Sequence, residues 1–205
     1  MTDSVPPAPN LKRIRVLLWV IVAFAVIAVG VMLLRPPQSP EGPVTEQSSF
    51  GGPFTLVGAD GKLFSSAKLS AKPFAIYFGF TRCGNVCPTT LSRLVKLRKE
   101  SGGDGAFNIV FVTIDPAHDG PKEVGQYAGL FNSPIIGLTG SQAQIDQVKK
   151  QYGIFAQPSP HPMAGKEMEH SAAVLLFDRN GKFATTIAPD DPDPQALAKL
   201  QKLVA

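Results

Sequence analysis

The sequence predicts an α/β fold, and three observations carry that expectation. Phe74–Phe80 (FAIYFGF) and Phe107–Ile114 (FNIVFVTI) are near-continuous apolar runs, as strands covered on both faces are. Stretches of helical spacing follow them. Two turn signals, Gly58-Ala59-Asp60-Gly61 and Asp178-Arg179-Asn180-Gly181, each lie between short β-prone runs, which marks hairpins at the two ends of the domain.

The elements read as follows. Residues 1–15 are a basic N-terminus holding Lys12, Arg13 and Arg15 against Asp3. Val16–Leu34 has 19 residues without a charge. At about 1.5 Å per residue, a helix of that length just spans a hydrocarbon core of about 30 Å. The basic residues before it place the N-terminus in the cytoplasm and all that follows Arg35 on the extracytoplasmic, periplasmic side. A cleaved signal peptide is the competing reading, but the run is long for one and Leu33-Leu34-Arg35-Pro36-Pro37 is a poor cleavage site. Residues 35–52, rich in proline and glycine, read as a tether, and the folded domain is expected over 53–205.

Within that domain, Phe54–Val57 and Lys62–Phe64 form the first expected hairpin, and Phe74–Phe80 the first buried strand. Pro88–Lys99 follows as a helix, with Leu91, Leu94, Val95 and Arg98 at helical spacing and Pro88 suited to its first turn. Phe107–Ile114 is a second buried strand, Pro121–Leu130 a helix weakened by Gly125, and Ile135–Leu138 a short strand. Ser141–Tyr152 is a helix with Ser141 as a candidate cap. Ala172–Phe177 and Lys182–Ile187 make the second hairpin, and Pro194–Val204 a closing helix. Gln157–Glu169, with its prolines and a glycine, reads as a loop and a candidate hinge. A βαβ unit followed by a ββα unit is a thioredoxin-like layout, here with an N-terminal β-hairpin and a central insertion.

Composition narrows the function. There are 20 Lys+Arg against 16 Asp+Glu, a formal net charge of +4, and much of the excess lies before residue 36. The folded part lacks the basic clustering that a nucleic-acid-binding face needs. Two cysteines are too few for a disulfide scaffold or a four-cysteine zinc site.

Those cysteines are the most informative residues. They lie in Phe78-Gly79-Phe80-Thr81-Arg82-Cys83-Gly84-Asn85-Val86-Cys87-Pro88, four positions apart at a strand-to-helix junction. Unpaired N–H groups and the positive dipole end of a helix favour thiolate there. Two such sulfurs can chelate a soft metal or close a disulfide. Cu(I) accepts two or three soft donors, whereas zinc usually wants four. His170 precedes the strand Ala172–Phe177. If that strand runs antiparallel to Phe74–Phe80, His170 sits beside Cys83 and Cys87. His118 and His161 read as solvated loop residues, and Met163 and Met168 as gap-fillers able to offer thioethers.

The segments FGFTRCGNVCPTTL, FVTIDPAHDGP and EHSAAVLLFDRNGKF resemble the Sco/SenC family over about residues 50–205. The resemblance implies a membrane-anchored, thioredoxin-like copper chaperone that helps metallate the CuA site of cytochrome c oxidase. It implies copper, as Cu(I) or Cu(II), held by Cys83, Cys87 and His170, with Cys83 and Cys87 also able to form a redox disulfide. Asp115 takes the place of an outer-shell or partner-binding acid. The implied partners are the CuA-bearing subunit, a copper donor and a thioredoxin-like reductant, since a disulfide has no thiolate to offer. Gly84 and Asn85 stand where members commonly carry Pro and Asp, and Arg82 where a histidine is common. These changes make the site more positive, which should depress the thiol pKa values and oppose cation binding.

Two other classes fit less of the pattern. A thiol–disulfide oxidoreductase keeping partner cysteines reduced usually carries C-x-x-C and a cis-proline before the later strand, where this chain has Glu169-His170-Ser171. A copper or redox sensor would bind without delivering metal. A metallochaperone rather than an enzyme is expected.

Overall fold

The computed structural model of the chain describes residue 15 and residues 18–24, 50–161, 163 and 168–205. The chain divides into two units, Met1–Glu46 and Gln47–Ala205. In the first, residues 18–24 are helical, and Leu18, Trp19, Ile21 and Phe24 are exposed. The rest of the expected anchor (16–34) and the tether as far as residue 49 lie outside the described residues. Among the described residues no helix is long and apolar enough to cross a membrane.

The second unit is a mixed α/β body of thioredoxin-like fold. Its elements are β1 (Thr55–Gly58), β2 (Leu63–Ser65), β3 (Phe74–Gly79), α1 (Val86–Glu100), β4 (Asn108–Thr113), α2 (Pro121–Gly129), β5 (Ile135–Thr139), α3 (Gln142–Gln151), β6 (Ala156–Pro158), β7 (Met168–His170), β8 (Val174–Phe177), β9 (Phe183–Ile187) and α4 (Asp193–Val204). Seven strands form one sheet in the order β2-β1-β5-β4-β3-β8-β9. The central β3, β4 and β5 run parallel, and β8 runs antiparallel to β3, with Phe74 opposite Phe177.

Strand alternation sorts the core into two halves. Ala75 and Tyr77 of β3 face the half that also holds Leu91 and Leu94 of α1, Val124 of α2 and Leu200 of α4. Phe74, Ile76 and Phe78 face the other half, with Ile145 and Val148 of α3. All six residues of β3 are buried, as the unbroken apolar run predicts. Ser141 caps α3 in a full capping box with Gln144.

The structure departs from the sequence expectation in two places. Helix α1 begins at Val86, so Cys87 lies inside its first turn and Pro88 is the third helical residue. The segment read as the loop Gln157–Glu169 instead begins and ends in a separate two-stranded ribbon, β6 with β7, in which Ala156 pairs with His170 and Pro158 with Met168.

Candidate functional site

The site sits where β3 gives way to α1. A turn closes with the Cys83 N–H donating to Phe80 O at 3.2 Å. Asn85, at the head of α1, makes no side-chain capping bond. The Cys83 sulfur takes over that role and accepts the backbone N–H of Cys87 at 3.3 Å. Helix N-termini leave such N–H groups unpaired, and a partly negative sulfur suits them. Both cysteines are free thiols, Cys83 partly exposed and Cys87 buried.

His170 arrives from the far end of the chain. Because β8 is antiparallel to β3, its start lies where β3 ends. Ser171 fixes the approach: its N–H donates to Phe155 O at 2.9 Å, and its hydroxyl accepts the Phe155 N–H at 3.1 Å. His170 Nε2 stands 3.7 Å from Cys87 Sγ. His170 Nδ1 lies 2.9 Å from Ser171 O. A carbonyl only accepts, so Nδ1 carries a proton and Nε2 is the ring nitrogen that faces the sulfur. The rings of Tyr77 and Phe80 meet the imidazole edge-on, with centroids 6.2 and 6.1 Å away.

The thiols are made unequal. Cys83 is lowered to about 4, chiefly by the Cys87 thiol donating to it; burial opposes this, and His170 and the N–H groups of Cys87 and Asn85 add to the lowering. Cys87 is pushed up by the same shared hydrogen bond and by its burial. Cys83 therefore holds the charge at neutral pH. Arg82, which the sequence suggests as a source of positive field, donates to Asp115 at 2.7 Å. Asp115 also lies 2.9 Å from His118 Nδ1. Burial pushes the Asp115 carboxyl up, but His118 and Arg82 outweigh it and hold it below its ordinary value. His118 is otherwise an exposed loop residue, as the sequence suggests.

Two contributors were not legible in the sequence. Asp119 is fully buried and accepts from the Thr81 N–H (2.8 Å), the Thr81 hydroxyl and the Thr113 hydroxyl (2.6 Å), which clamps the loop leading into Cys83. Tyr77, also fully buried, packs in the same half of the core as Cys87, and its ring meets that of His170. A solvated acid and a core aromatic look the same in sequence as these two.

The structure thus brings Cys83, Cys87 and His170 to one rim and leaves Asp115 beside it, linked through Arg82. Among the described residues no three His, Cys, Asp or Glu side chains stand as a preformed group able to hold a metal ion. Its chemistry is that of soft donors and reactive thiols.

Fold and site together define the class: a thioredoxin-like domain with paired cysteines at the head of its first helix and a histidine brought to them from the later sheet. The chain belongs to the SCO1/SenC family, whose model matches residues 42–205. An SCO2-like protein of Rickettsia conorii is 34% identical over 180 residues, covering 80% of this chain and 85% of that protein. The structure of Bradyrhizobium japonicum ScoI with copper bound is 32% identical at a TM-score of 0.66, covering 75% of this chain and 99% of that one. Yeast Sco1 with copper bound is 29% identical, also at 0.66, with 76% and 88% covered.

Proposed function

We propose that this chain is a copper chaperone that binds the metal as cargo through Cys83, Cys87 and His170 and hands it to the CuA site of cytochrome c oxidase. The observation that carries the reading is the 3.7 Å separation of Cys87 Sγ and His170 Nε2, with Nδ1 engaged by Ser171 O and Nε2 facing the sulfur. A sulfur and an imidazole nitrogen sharing one metal, at bond lengths of about 2.3 and 2.0 Å, stand about 3.5–3.7 Å apart at tetrahedral to trigonal angles. Two thiolates and one imidazole suit copper better than a hard cation. The copper-bound relatives described above support the choice of metal.

Release follows from the support of His170. It lies on a ribbon of two three-residue strands. Such a ribbon is marginally stable alone. Moving it would free one ligand first and let a target's donors displace the thiolates stepwise. Binding requires both cysteines reduced, which implies a thioredoxin-like reductant as well as a copper donor. Val16–Leu34 would anchor the domain on the extracytoplasmic face and raise its effective concentration near membrane-bound targets. Asp115 would act from the outer shell, or meet a partner, through Arg82.

One observation favours a second reading, a thiol–disulfide oxidoreductase. The accessible, ionised Cys83 beside a buried, protonated Cys87 suits an attacking and a resolving thiol. Cys83 would displace one sulfur of a partner disulfide. Cys87, losing its proton, would then close the Cys83–Cys87 bond and release the second partner thiol, leaving the partner reduced by two electrons. This reading assigns His170 no part.

A copper titration of the reduced full chain tests the choice. The chaperone reading expects one equivalent, thiolate-to-copper absorption with Cu(II), and an affinity lowered at least about tenfold in His170→Ala. Unchanged affinity and spectrum in that variant would end it. Turnover of a disulfide substrate by the metal-free chain would favour the second reading.

A further inference from the structure

Residues 50–205 contain two cysteines, two methionines and three histidines. Five of these seven side chains, Cys83, His161, Met163, Met168 and His170 among them, line one cavity of about 430 Å³. Cys87 lies 3.7 Å from His170, and His118 alone stands elsewhere, against Asp115. Thioethers spread through a core as fillers would not converge on the mouth of a thiol site.

The placement has a simple cause. Met168 and His170 are two residues apart on β7, and alternate residues of a strand share a face, about 6–7 Å apart. Both are half-buried, while Glu169 between them is exposed and accepts from Gln157 Nε2 at 3.2 Å. Met168 therefore rides on the same face as His170. Met163 is 59% exposed, so its thioether is open to an incoming ion. His161 is also exposed.

We propose that Met168, Met163 and His161 form a second, weaker Cu(I) site at the mouth of this cavity, through which the ion reaches and leaves Cys83, Cys87 and His170. The proposal rests on the copper reading above. Thioethers select Cu(I) over harder ions, and they are neutral, so this site holds copper less tightly than thiolates do. Transfer is ligand exchange: a bond from copper to a thioether breaks as one to the Cys83 thiolate forms. The ion stays Cu(I), no electron moves, and any proton that copper displaces from a cysteine thiol passes to water.

The test uses the full chain carrying Cys83→Ser and Cys87→Ser, labelled with ¹³C at the methionine methyls and titrated with Cu(I) without oxygen. The Met163 and Met168 signals are expected to shift, with Met1 and Met32 as unmoved internal controls, and Zn²⁺ is expected to move none of them. With the cysteines intact, Met163→Leu/Met168→Leu should keep the equilibrium copper affinity but load several-fold more slowly. Methyl signals unmoved by Cu(I), or loading of the double leucine variant at the parent rate, overturns the proposal. Failure of the thiolate reading is seen separately, as absent thiolate-to-copper absorption in the parent chain.

Discussion

The carboxylate of Asp119 accepts the backbone N–H of Thr81 at 2.8 Å, joining two loops 38 residues apart. The loop entering Cys83 is held through this bond and through the hydroxyls of Thr81 and Thr113. Asp119→Ala strands three donors, the Thr113 hydroxyl fully buried and the two of Thr81 partly so, at a cost of about 3 kcal/mol. Denaturant unfolding should show that loss, and copper affinity should fall with it. Unchanged stability would mean that the clamp contributes nothing.

Gly79 is the last residue of β3 and leaves room for the site. A Cβ there would lie 2.9 Å from Cys87 Sγ and 3.2 Å from both Phe111 Cε2 and Tyr77 Cε1. Gly79→Ala should therefore displace the Cys87 sulfur from its place beside His170, costing about 1–3 kcal/mol by overpacking. A copper titration beside an unfolding curve would show weaker binding; a variant that binds as the parent does would show that the sulfur has slack.

The Cys83 thiol, lowered from 9.0 to about 4, couples stability to pH. Its folded value lies below its unfolded one, so the ionised form stabilises the fold. That contribution is complete above the unfolded value and is lost as pH falls through the folded value. Reduced protein should lose more stability between pH 7 and pH 4 than Cys83→Ser does, by denaturant unfolding at both. Cys87→Ala removes the main donor, so thiolate ultraviolet absorbance should titrate at a higher pH.

Arg82 and Asp115 form an ion pair whose arginine is 42% exposed. Such pairs contribute less than about 1 kcal/mol, so Asp115→Asn should barely change stability. It should nonetheless weaken copper binding, because the Asp115 carboxylate no longer offsets the Arg82 charge beside Cys83. Adding Arg82→Ala should restore affinity, and raised salt should shrink the difference. Competition titrations of the single and double variants at two salt concentrations check this.

Much of the fold is legible from patterns that need no partner. Phe74–Phe80 announces a strand buried on both faces, Ser141 a helix start, and Asp178-Arg179-Asn180-Gly181 a hairpin. The ribbon Ala156–Pro158 with Met168–His170 is not legible. Its strands are three residues long and carry a proline, so neither alternation nor propensity marks them, and pairing alone defines them.

By itself the sequence determined the local chemistry: two thiols one helical turn apart at the end of a buried strand, with a proline in the turn that follows. Only the tertiary structure decided which distant groups act on them. It chose His170 and brought Met168 to the same side, charged Cys83 rather than Cys87, and buried Asp119 while leaving Asp115 a little exposed between Arg82 and His118. The reason is physical. A donor's identity is written in its residue type, but its distance, orientation and exposure depend on strands that pair across about a hundred residues of chain.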